Sequence, residues 1–217
     1  MRENDQLTDM AGLSVNDFLS VLCSKEPVPG GGGAAALAAS MGAALGGMVA
    51  ALTRGKKKYA RYESDLERIY LSCEFKQKEL GSLIEKDAEA FFPLSRIYGL
   101  PKSTQEEKQR RDSLMETALN NAAQVPLQMM RLSLDCLDLL SELTEKGSIM
   151  AVSDVGAGAA MLKSAFESGW LNVLINTKGL KDREMAERLN EEAQELKEKG
   201  ILLAEEIYDT VEKKLLN

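Results

Sequence analysis

The 217-residue sequence contains no histidine, and this absence excludes whole classes of chemistry. Without imidazole, histidine-based catalytic triads and the usual catalytic zinc sites cannot form. The three cysteines, Cys23, Cys73 and Cys136, are widely spaced and include no CxxC pair, which argues against a zinc site and against a disulfide framework. We therefore expect no metal, and any catalysis must use carboxylates, lysine, tyrosine, serine or backbone groups.

Charge and hydropathy exclude two further kinds of partner. The chain has 27 lysines and arginines against 34 aspartates and glutamates, and the net charge of −7 argues against nucleic acid. Ala34–Thr53 is long enough to span a membrane, but alanine and glycine dominate it and the chain around it is strongly charged. We expect no membrane span. Because Met1–Asp9 is polar and holds no apolar segment, we expect no signal peptide. The odd number and wide spacing of the cysteines suit free thiols in a reducing cytosol, so we expect a cytoplasmic location.

Apolar residues recur at helical spacing, and no segment alternates apolar and polar residues for any length. The chain is therefore predicted to be one all-α domain, residues 1–217, an antiparallel bundle of long helices around central Ala/Gly-rich helices. Their apolar faces exceed what one protomer can cover, which predicts a homodimer. The predicted helices are 15–25, 34–53, 60–98, 104–146 with a kink at Pro126, 155–169 capped by Ser153 and Asp154, and 182–216, with a short apolar segment at 170–177.

The stretch Pro27–Lys58 dominates the sequence pattern. Its glycines Gly30, Gly31 and Gly32 precede a helix of small residues, so they lie at a helix N-terminus, where free N–H groups favour an anion or a polar ligand edge. Two interpretations stay open: a tightly packed core helix with a flexible leader, or a central helix that also borders a ligand site.

Asp87 is the sharpest single candidate. It falls within the apolar stripe formed by Leu80, Ile84 and Phe91, where a carboxylate is costly unless it is paired, hydrogen-bonded or protonated. Such a group is either a candidate acid or base, or a structural partner of a lysine or a helix N-terminus.

Asp154, Asn172 and Asn176 are weaker candidates. Asp154 stands where a simple helix cap is common, although a capping carboxylate beside a glycine-rich helix can also face a cationic ligand. Asn172 and Asn176 are four residues apart, so in a helix their amides share a face and can pair with a heterocycle edge or with the backbone.

Lysines 56 to 58 form a basic cluster with Arg54 in this acidic protein. Lys56, Lys57 and Lys58 are either an ordinary solvated helix end or a binding site for carboxylates or phosphates.

Taken together, these segments resemble the folate-dependent cyclodeaminase/cyclohydrolase family. It comprises the formiminotetrahydrofolate cyclodeaminase domain and stand-alone methenyltetrahydrofolate cyclohydrolases. The resemblance extends from about Val15 to the C-terminus, and one departure is Gly33, where the family often has a serine. The segments that carry it, in the family's order and spacing, are PVPGGGGAAALAASMGAALGGMVA, LTRGKKKY, DAEAF, LPK, VPL, SDVGAGAA and NVLIN.

The resemblance implies a dimeric helical protein that binds a reduced folate and needs no cofactor beyond its tetrahydrofolate substrate. It implies that Asp87, in DAEAF, is the catalytic carboxylate. On chemical grounds the GKKKY lysines suit the anionic glutamate tail of folate. The glycine leader, with Asp154 and Asn176, suits the pterin side.

Two enzymatic functions and one other follow from the resemblance. The first is hydrolysis of 5,10-methenyltetrahydrofolate to 10-formyltetrahydrofolate, which we favour because no formiminotransferase domain is attached. The second is the cyclodeaminase reaction, from 5-formiminotetrahydrofolate to 5,10-methenyltetrahydrofolate and ammonia. The third is a non-catalytic helical dimer that binds folate or another anion.

Overall fold

A computed structural model describes residues 9–217, and the polar stretch that predicted the absence of a signal peptide lies almost entirely outside these residues. Within the described part the chain is all-α, as predicted, with no strand. The helices are α1 (Val15–Leu22), α2 (Gly31–Thr53), α3 (Glu63–Tyr98), α4 (Gln105–Lys146), α5 (Val152–Thr177) and α6 (Arg183–Leu216), with 3₁₀ segments at Lys57–Tyr62 and Ile149–Ala151.

Local signals set several of the helix boundaries. Thr104 and Glu107 form a capping box at the start of α4, in which each side chain accepts a hydrogen bond from the other residue's backbone N–H. Asp182 caps α6 by accepting a hydrogen bond from the Met185 N–H at 2.9 Å. α4 continues as a helix through Pro126. All three cysteines are free thiols, in agreement with the sequence.

Both predicted boundaries of α5 were wrong, and α1 ends three residues earlier, α2 begins three residues earlier and α3 begins three residues later than predicted. α5 begins at Val152 after a 3₁₀ turn, so Ser153 and Asp154 lie in its first turn and do not cap it. α5 also continues without a break to Thr177, past the predicted boundary at Gly169. A Cβ at Gly169 would lie 2.8 Å from Met130 Cγ, so the close approach of α4 compensates for a glycine inside the helix.

The two small-residue helices lie at the centre of the bundle, as predicted. Successive neighbours α3, α2, α5 and α6 form an antiparallel row, and α4 packs across one side of it. α2 and α5 approach so closely that a Cβ at Gly42 would lie 2.9 Å from the Gly158 carbonyl oxygen, and one at Gly158 would lie 3.1 Å from the Gly42 oxygen. Glycine is required at this crossing because no side chain fits between the backbones.

The side of α2 and α5 opposite α4 is exposed and apolar. α2 contains no charged residue, and among residues 9–217 no helix packs along this side. We call this surface the apolar face and define it by its large exposed side chains, Met41, Met48 and Leu52 on α2, and Leu171 and Ile175 on α5.

Length and composition alone would allow two segments of the described chain, Gly31–Thr53 and Ile149–Thr177, to cross a membrane. Half of each is buried inside the protein, and the core helices of soluble proteins have the same properties, so this is a weak indication of a span. The packing of both segments at the centre of the bundle agrees with the interpretation of α2 as a core helix.

Candidate active site

A cavity of about 210 Å³ lies where α2 begins, enclosed by α3, α4 and α5. Six of the ten predicted site residues line it: Gly30, Gly31, Gly32, Asp87, Asn172 and Asn176. They come from three separate helices, α2, α3 and α5. The antiparallel arrangement brings them together, because the start of α2 meets the second half of α3 and the end of α5.

Asp87 closes the N-terminal end of α2. Gly30, the N-cap residue, has no side chain to bond the first turn, and the Gly33 N–H instead donates to Asp87 Oδ2 at 3.0 Å. A Cβ at Gly32 would overlap the Asp87 carboxylate, so glycine at this position is what lets the acid reach the helix end. Asp87 is thus both a structural partner of a helix N-terminus and part of the cavity wall.

The second oxygen of Asp87 is the chemically available one. Asp87 Oδ1 accepts no hydrogen bond from a described residue, and the side chain lines the cavity. Burial raises the pKa of Asp87 above its ordinary value, and the hydrogen bond from Gly33 opposes part of that shift. A carboxyl group with a raised pKa binds a proton more strongly than an exposed aspartate, which suits a general base.

Asn172 and Asn176 present acceptors to the same space. Asn172 Nδ2 donates to the Ser168 carbonyl and Asn176 Nδ2 to the Asn172 carbonyl, each at 2.8 Å. Since both amide nitrogens are bonded to their own helix, the Oδ1 atoms remain, without a hydrogen bond from a described residue, to receive N–H donors of a ligand.

Apolar side chains form the rest of the wall, and the sequence identified their role only in part. Phe91 was expected on the apolar stripe of its helix, but it is 37% exposed and lines the cavity together with Tyr98, which is 60% exposed. Phe91 follows Asp87 by four residues, the one signal that could have placed it beside the acid. Leu119 and Ile175, from α4 and α5, carried no such signal.

The other four predicted residues lie at the opposite end of the bundle. Asp154 is 18 residues from Asn172 along α5, roughly 27 Å at the rise of an α-helix. The lysines follow the C-terminal end of α2, whose first and last residues are roughly 33 Å apart. Within one protomer, the grouping of Asp154 with the glycine leader is therefore wrong, because helix length separates them. The residues concerned are Asp154, Lys56, Lys57 and Lys58.

A second cavity, of about 230 Å³, lies at that opposite end. Lys58, Arg61 and Lys214 contribute cations to its lining, and Glu145 contributes a carboxylate that accepts a hydrogen bond from the Tyr62 hydroxyl at 2.9 Å. In the described part of the chain, no group of three or more cysteine, aspartate and glutamate residues is placed to hold a metal ion.

Comparison with known proteins gives the same family by three routes. Residues 14–195 match the family model described as formiminotransferase-cyclodeaminase. The chain is 41% identical over 202 residues to a methenyltetrahydrofolate cyclohydrolase of Methylorubrum extorquens, covering 93% of this chain and 97% of that protein. It is 33% identical to the formimidoyltransferase-cyclodeaminase of Gallus gallus over 82% of this chain, and it spans 34% of that longer protein.

A solved structure agrees with these sequence relationships. The crystal structure of formiminotetrahydrofolate cyclodeaminase from Thermotoga maritima matches with a TM-score of 0.80 and 33% identity, covering 94% of this chain and 96% of that one. The resemblance carried by the glycine leader, the DAEAF segment and the other motifs is confirmed. The chain belongs to the formiminotransferase-cyclodeaminase family.

Proposed function

We propose that this protein is a methenyltetrahydrofolate cyclohydrolase, which hydrolyses 5,10-methenyltetrahydrofolate to 10-formyltetrahydrofolate. The 41% identity to a cyclohydrolase over nearly the full length of both chains supports this choice. The structural observation that carries it is Asp87, a carboxylate on the wall of the cavity with one oxygen held by Gly33 and the other unbonded by described residues.

The chemistry suits a carboxylate and needs no histidine. The methenyl bridge is a cationic amidinium, so it is already activated toward water. Asp87 stabilises that cation and accepts a proton from the attacking water, which forms a tetrahedral carbon. One C–N bond then opens, the leaving nitrogen takes up a proton, and the bridging carbon becomes the formyl group of the product.

The first turn of α2 supplies donors next to the acid. An α-helix leaves its first N–H groups without partners in the helix, and here Gly33 uses its own on Asp87. The N–H groups of Gly31 and Gly32 remain for the oxygen of the attacking water and, later, of the formyl group. Asn172 and Asn176 bind N–H groups on the pterin through their Oδ1 atoms, and Phe91 packs against its ring.

The cyclodeaminase reaction is the second candidate. The structure from Thermotoga maritima that matches over 96% of its length bears that name. In this reaction N10 of the folate attacks the formimino carbon, an acid protonates the leaving amine, and ammonia departs. The tetrahedral centre forms at the same bridging carbon, so Asp87 can serve either reaction as acid or base.

The wider setting belongs to the same proposal. The enzyme is a cytoplasmic homodimer that uses no metal and no cofactor other than the folate substrate. The exposed apolar face of α2 and α5 supports the dimer, because a helix that is apolar all round is normally covered. The lysines at positions 56 to 58 bind the carboxylates of the glutamate tail.

The two reactions are distinguished by absorbance. Purified protein is mixed with 5,10-methenyltetrahydrofolate, and loss of its near-ultraviolet absorbance well above the buffer rate supports the cyclohydrolase. With 5-formiminotetrahydrofolate, a gain in absorbance accompanied by ammonia supports the cyclodeaminase instead. Asp87→Asn is the matched control in both assays. If neither absorbance changes while a folate still binds, both enzymatic proposals fail and the protein is a folate-binding dimer.

A further inference from the structure

The cavity beside the start of α2 has two chemically different ends. At the end next to α2, its lining consists of polar groups: the first-turn N–H groups of that helix, the Asp87 carboxylate, and the amides of Asn172 and Asn176. Toward the end of α3 the lining is apolar or aromatic, and it includes Leu94 and Tyr98. A ligand that fills the whole cavity must therefore be polar at one end and apolar at the other.

One face of α3 forms the wall that joins the two ends. Asp87, Phe91, Leu94 and Tyr98 follow one another at steps of four, three and four residues, so they lie on the same side of the helix. At the rise of an α-helix, Leu94 and Tyr98 lie roughly 10 and 16 Å beyond Asp87. Long side chains on a helix lean toward its N-terminus, so the Tyr98 ring is directed back toward the turn that contains Leu94.

Tyr98 has no role in the packing of the protein. It is the most exposed of the five tyrosines, at 60%. Tyr59, Tyr62 and Tyr70 pack against the hydrophobic core, whereas Tyr98 does not. Its hydroxyl group forms no hydrogen bond with a described residue, and no described cation lies over its ring. A ring that neither packs in the core nor pairs within the described chain is available to a ligand in the cavity that it lines.

A folate has an arm that matches the apolar end of the cavity. In 5,10-methenyltetrahydrofolate the bridge nitrogen N10 carries a benzoyl ring, whose amide leads to the glutamate. At ordinary bond lengths the centre of this ring lies about 4 Å from the bridging carbon, and the amide carbon lies about 6.5 Å from it. When the bridging carbon is beside Asp87, as the reaction requires, the ring and its amide extend to the level of Leu94 and of the leaning Tyr98 ring.

The packing directs this arm toward the end of α3. A Cβ at Gly32 would overlap Asp87, and one at Gly31 would lie 3.8 Å from Asn172 Nδ2, so the acid and the amide face each other at the first turn of α2. The pterin lies across this level. In the preceding turn of α3, Ile84 is only 4% exposed and belongs to the core. The arm therefore leaves the pterin in the opposite direction, along the wall formed by the last turns of α3.

We propose that Tyr98 is a specificity-determining residue of this site, because its ring stacks on the benzoyl ring of the folate. This inference rests on the proposed function, since it takes a folate as the ligand. The benzoyl ring itself has no hydrogen-bonding group, so an aromatic surface is what recognises it. Hydrogen bonds hold the pterin and stacking holds the arm, and a pterin without the aryl arm is consequently a poor ligand.

Kinetics of three variants test the stacking contact. Tyr98→Ala should raise KM for 5,10-methenyltetrahydrofolate about tenfold and leave kcat within about threefold, since stacking contributes to binding and not to the chemical step. Tyr98→Phe keeps the ring and should leave KM within about twofold. Tyr208→Ala is the matched control, because Tyr208 is 48% exposed on α6 and lies outside the cavity lining. An unchanged KM in Tyr98→Ala, or an equal rise in Tyr98→Phe, overturns the proposal.

Fluorine NMR tests the same contact without turnover. The protein is labelled with 3-fluorotyrosine, and the Tyr98 signal is identified by its absence from Tyr98→Phe. Three ligands are compared, each at saturation in equilibrium dialysis: tetrahydrofolate, tetrahydropteroate, which lacks the glutamate, and 6-methyltetrahydropterin, which lacks the aryl arm. We expect the Tyr98 signal to shift with the first two ligands and not with the third. A shift with all three assigns Tyr98 to the pterin, a shift with tetrahydrofolate alone assigns it to the glutamate, and either result overturns the proposal.

These experiments separate the role of Tyr98 from the proposed function. If the wild type hydrolyses 5,10-methenyltetrahydrofolate while the Tyr98 signal does not respond to tetrahydrofolate, the role of Tyr98 is rejected and the function stands. If the signal responds to tetrahydropteroate but neither folate substrate is turned over, the enzymatic function is rejected and the stacking contact stands. If none of the three ligands binds, both are rejected.

Discussion

Asp87 Oδ2 and the Gly33 N–H lie 3.0 Å apart, and this hydrogen bond joins α3 to the first turn of α2 across 54 residues of sequence. The same carboxylate that completes the helix end faces the cavity. The contact with Gly33 fixes the position of the Asp87 carboxylate and also affects its charge. The positive end of α2 favours the ionised form of Asp87, while burial favours the protonated form.

Replacing Asp87 by asparagine separates its two roles. Asparagine Oδ1 can still accept from Gly33, so the fold is expected to persist, while the loss of a general base should lower kcat about 10²- to 10⁴-fold. The affinity for the product, 10-formyltetrahydrofolate, should change less than tenfold, because the product no longer carries the cationic methenyl bridge. Steady-state kinetics and product binding measure both. Undiminished turnover would remove Asp87 from the mechanism.

The raised pKa of Asp87 predicts the acid side of the pH profile. A general base must be ionised, so kcat/KM should fall as the pH drops through a value above the ordinary 3.8 of aspartate. For stability the sign is reversed: a raised folded-state pKa favours folding at low pH, and this contribution is lost as the pH rises through that value. Asp87→Asn should therefore be at least as stable as the wild type at pH 7. A lower melting temperature for the variant at pH 7 would contradict this.

Gly32 and Gly31 form a matched pair for testing how the acid is positioned. A Cβ at Gly32 overlaps the Asp87 carboxylate, whereas one at Gly31 has Asn172 Nδ2 at 3.8 Å as its nearest neighbour. Gly32→Ala should displace Asp87 and lower kcat by about 10²-fold, since small misplacements have effects of that size. Gly31→Ala should keep kcat within about threefold. If kcat falls equally in both variants, the added methyl group acts by filling the cavity, and not by displacing Asp87.

Gly42 and Gly47 test the packing of the central helices. A methyl group at Gly42 would lie 2.8 Å from Leu162 Cγ and 2.9 Å from the Gly158 oxygen, so Gly42→Ala should lower the free energy of unfolding by about 1–3 kcal/mol. At Gly47 the nearest atom is Cys73 Cβ at 3.4 Å, an ordinary contact. Gly47→Ala should therefore raise stability by up to about 1 kcal/mol, because alanine favours helix over glycine. Denaturant titration of the two variants and the wild type measures both changes in the free energy of unfolding, and a change of the same sign in both variants would contradict the prediction.

Asn176 tests the pterin side of the cavity. Its amide nitrogen bonds the Asn172 carbonyl of its own helix, so Asn176→Leu should leave the melting temperature within a few degrees. Loss of the Oδ1 acceptor should raise KM about 3- to 10-fold, the worth of one hydrogen bond. Asn121→Ala, exposed on α4 and outside the cavity lining, should leave KM unchanged. An unaltered KM in Asn176→Leu would exclude this contact with the substrate.

Local chemistry explains which features were predictable. The capping box of Thr104 and Glu107 lies within four residues, and helical spacing placed Asp87 within the apolar stripe of its helix. Helix α5 was harder, because the contact that supports Gly169 comes from Met130 on another helix. The start of α5 at Val152 likewise depends on a preceding 3₁₀ turn, which no capping pattern in the sequence predicts.

The site residues were also predictable only in part. The resemblance and the glycine pattern predicted the group formed by Gly30–Gly32, Asp87, Asn172 and Asn176, and the fold brings these together. Asp154 was grouped with them because its surroundings in sequence look alike, yet the length of α5 places it at the far end. A sequence pattern shows which residues are neighbours along the chain. The distance between two residues across a bundle depends instead on which helix ends pack together.

α2 is 23 residues long without a single charge, so the chain is vulnerable while it is being made. Before the bundle is complete, such a segment can associate with membranes or with other unfolded chains. α3 follows after one short connection and lies antiparallel against α2, so its first covering partner is also its next neighbour in sequence. A hairpin with this short separation forms early. The contact that assembles the catalytic end of the protein therefore also protects the nascent chain from aggregation.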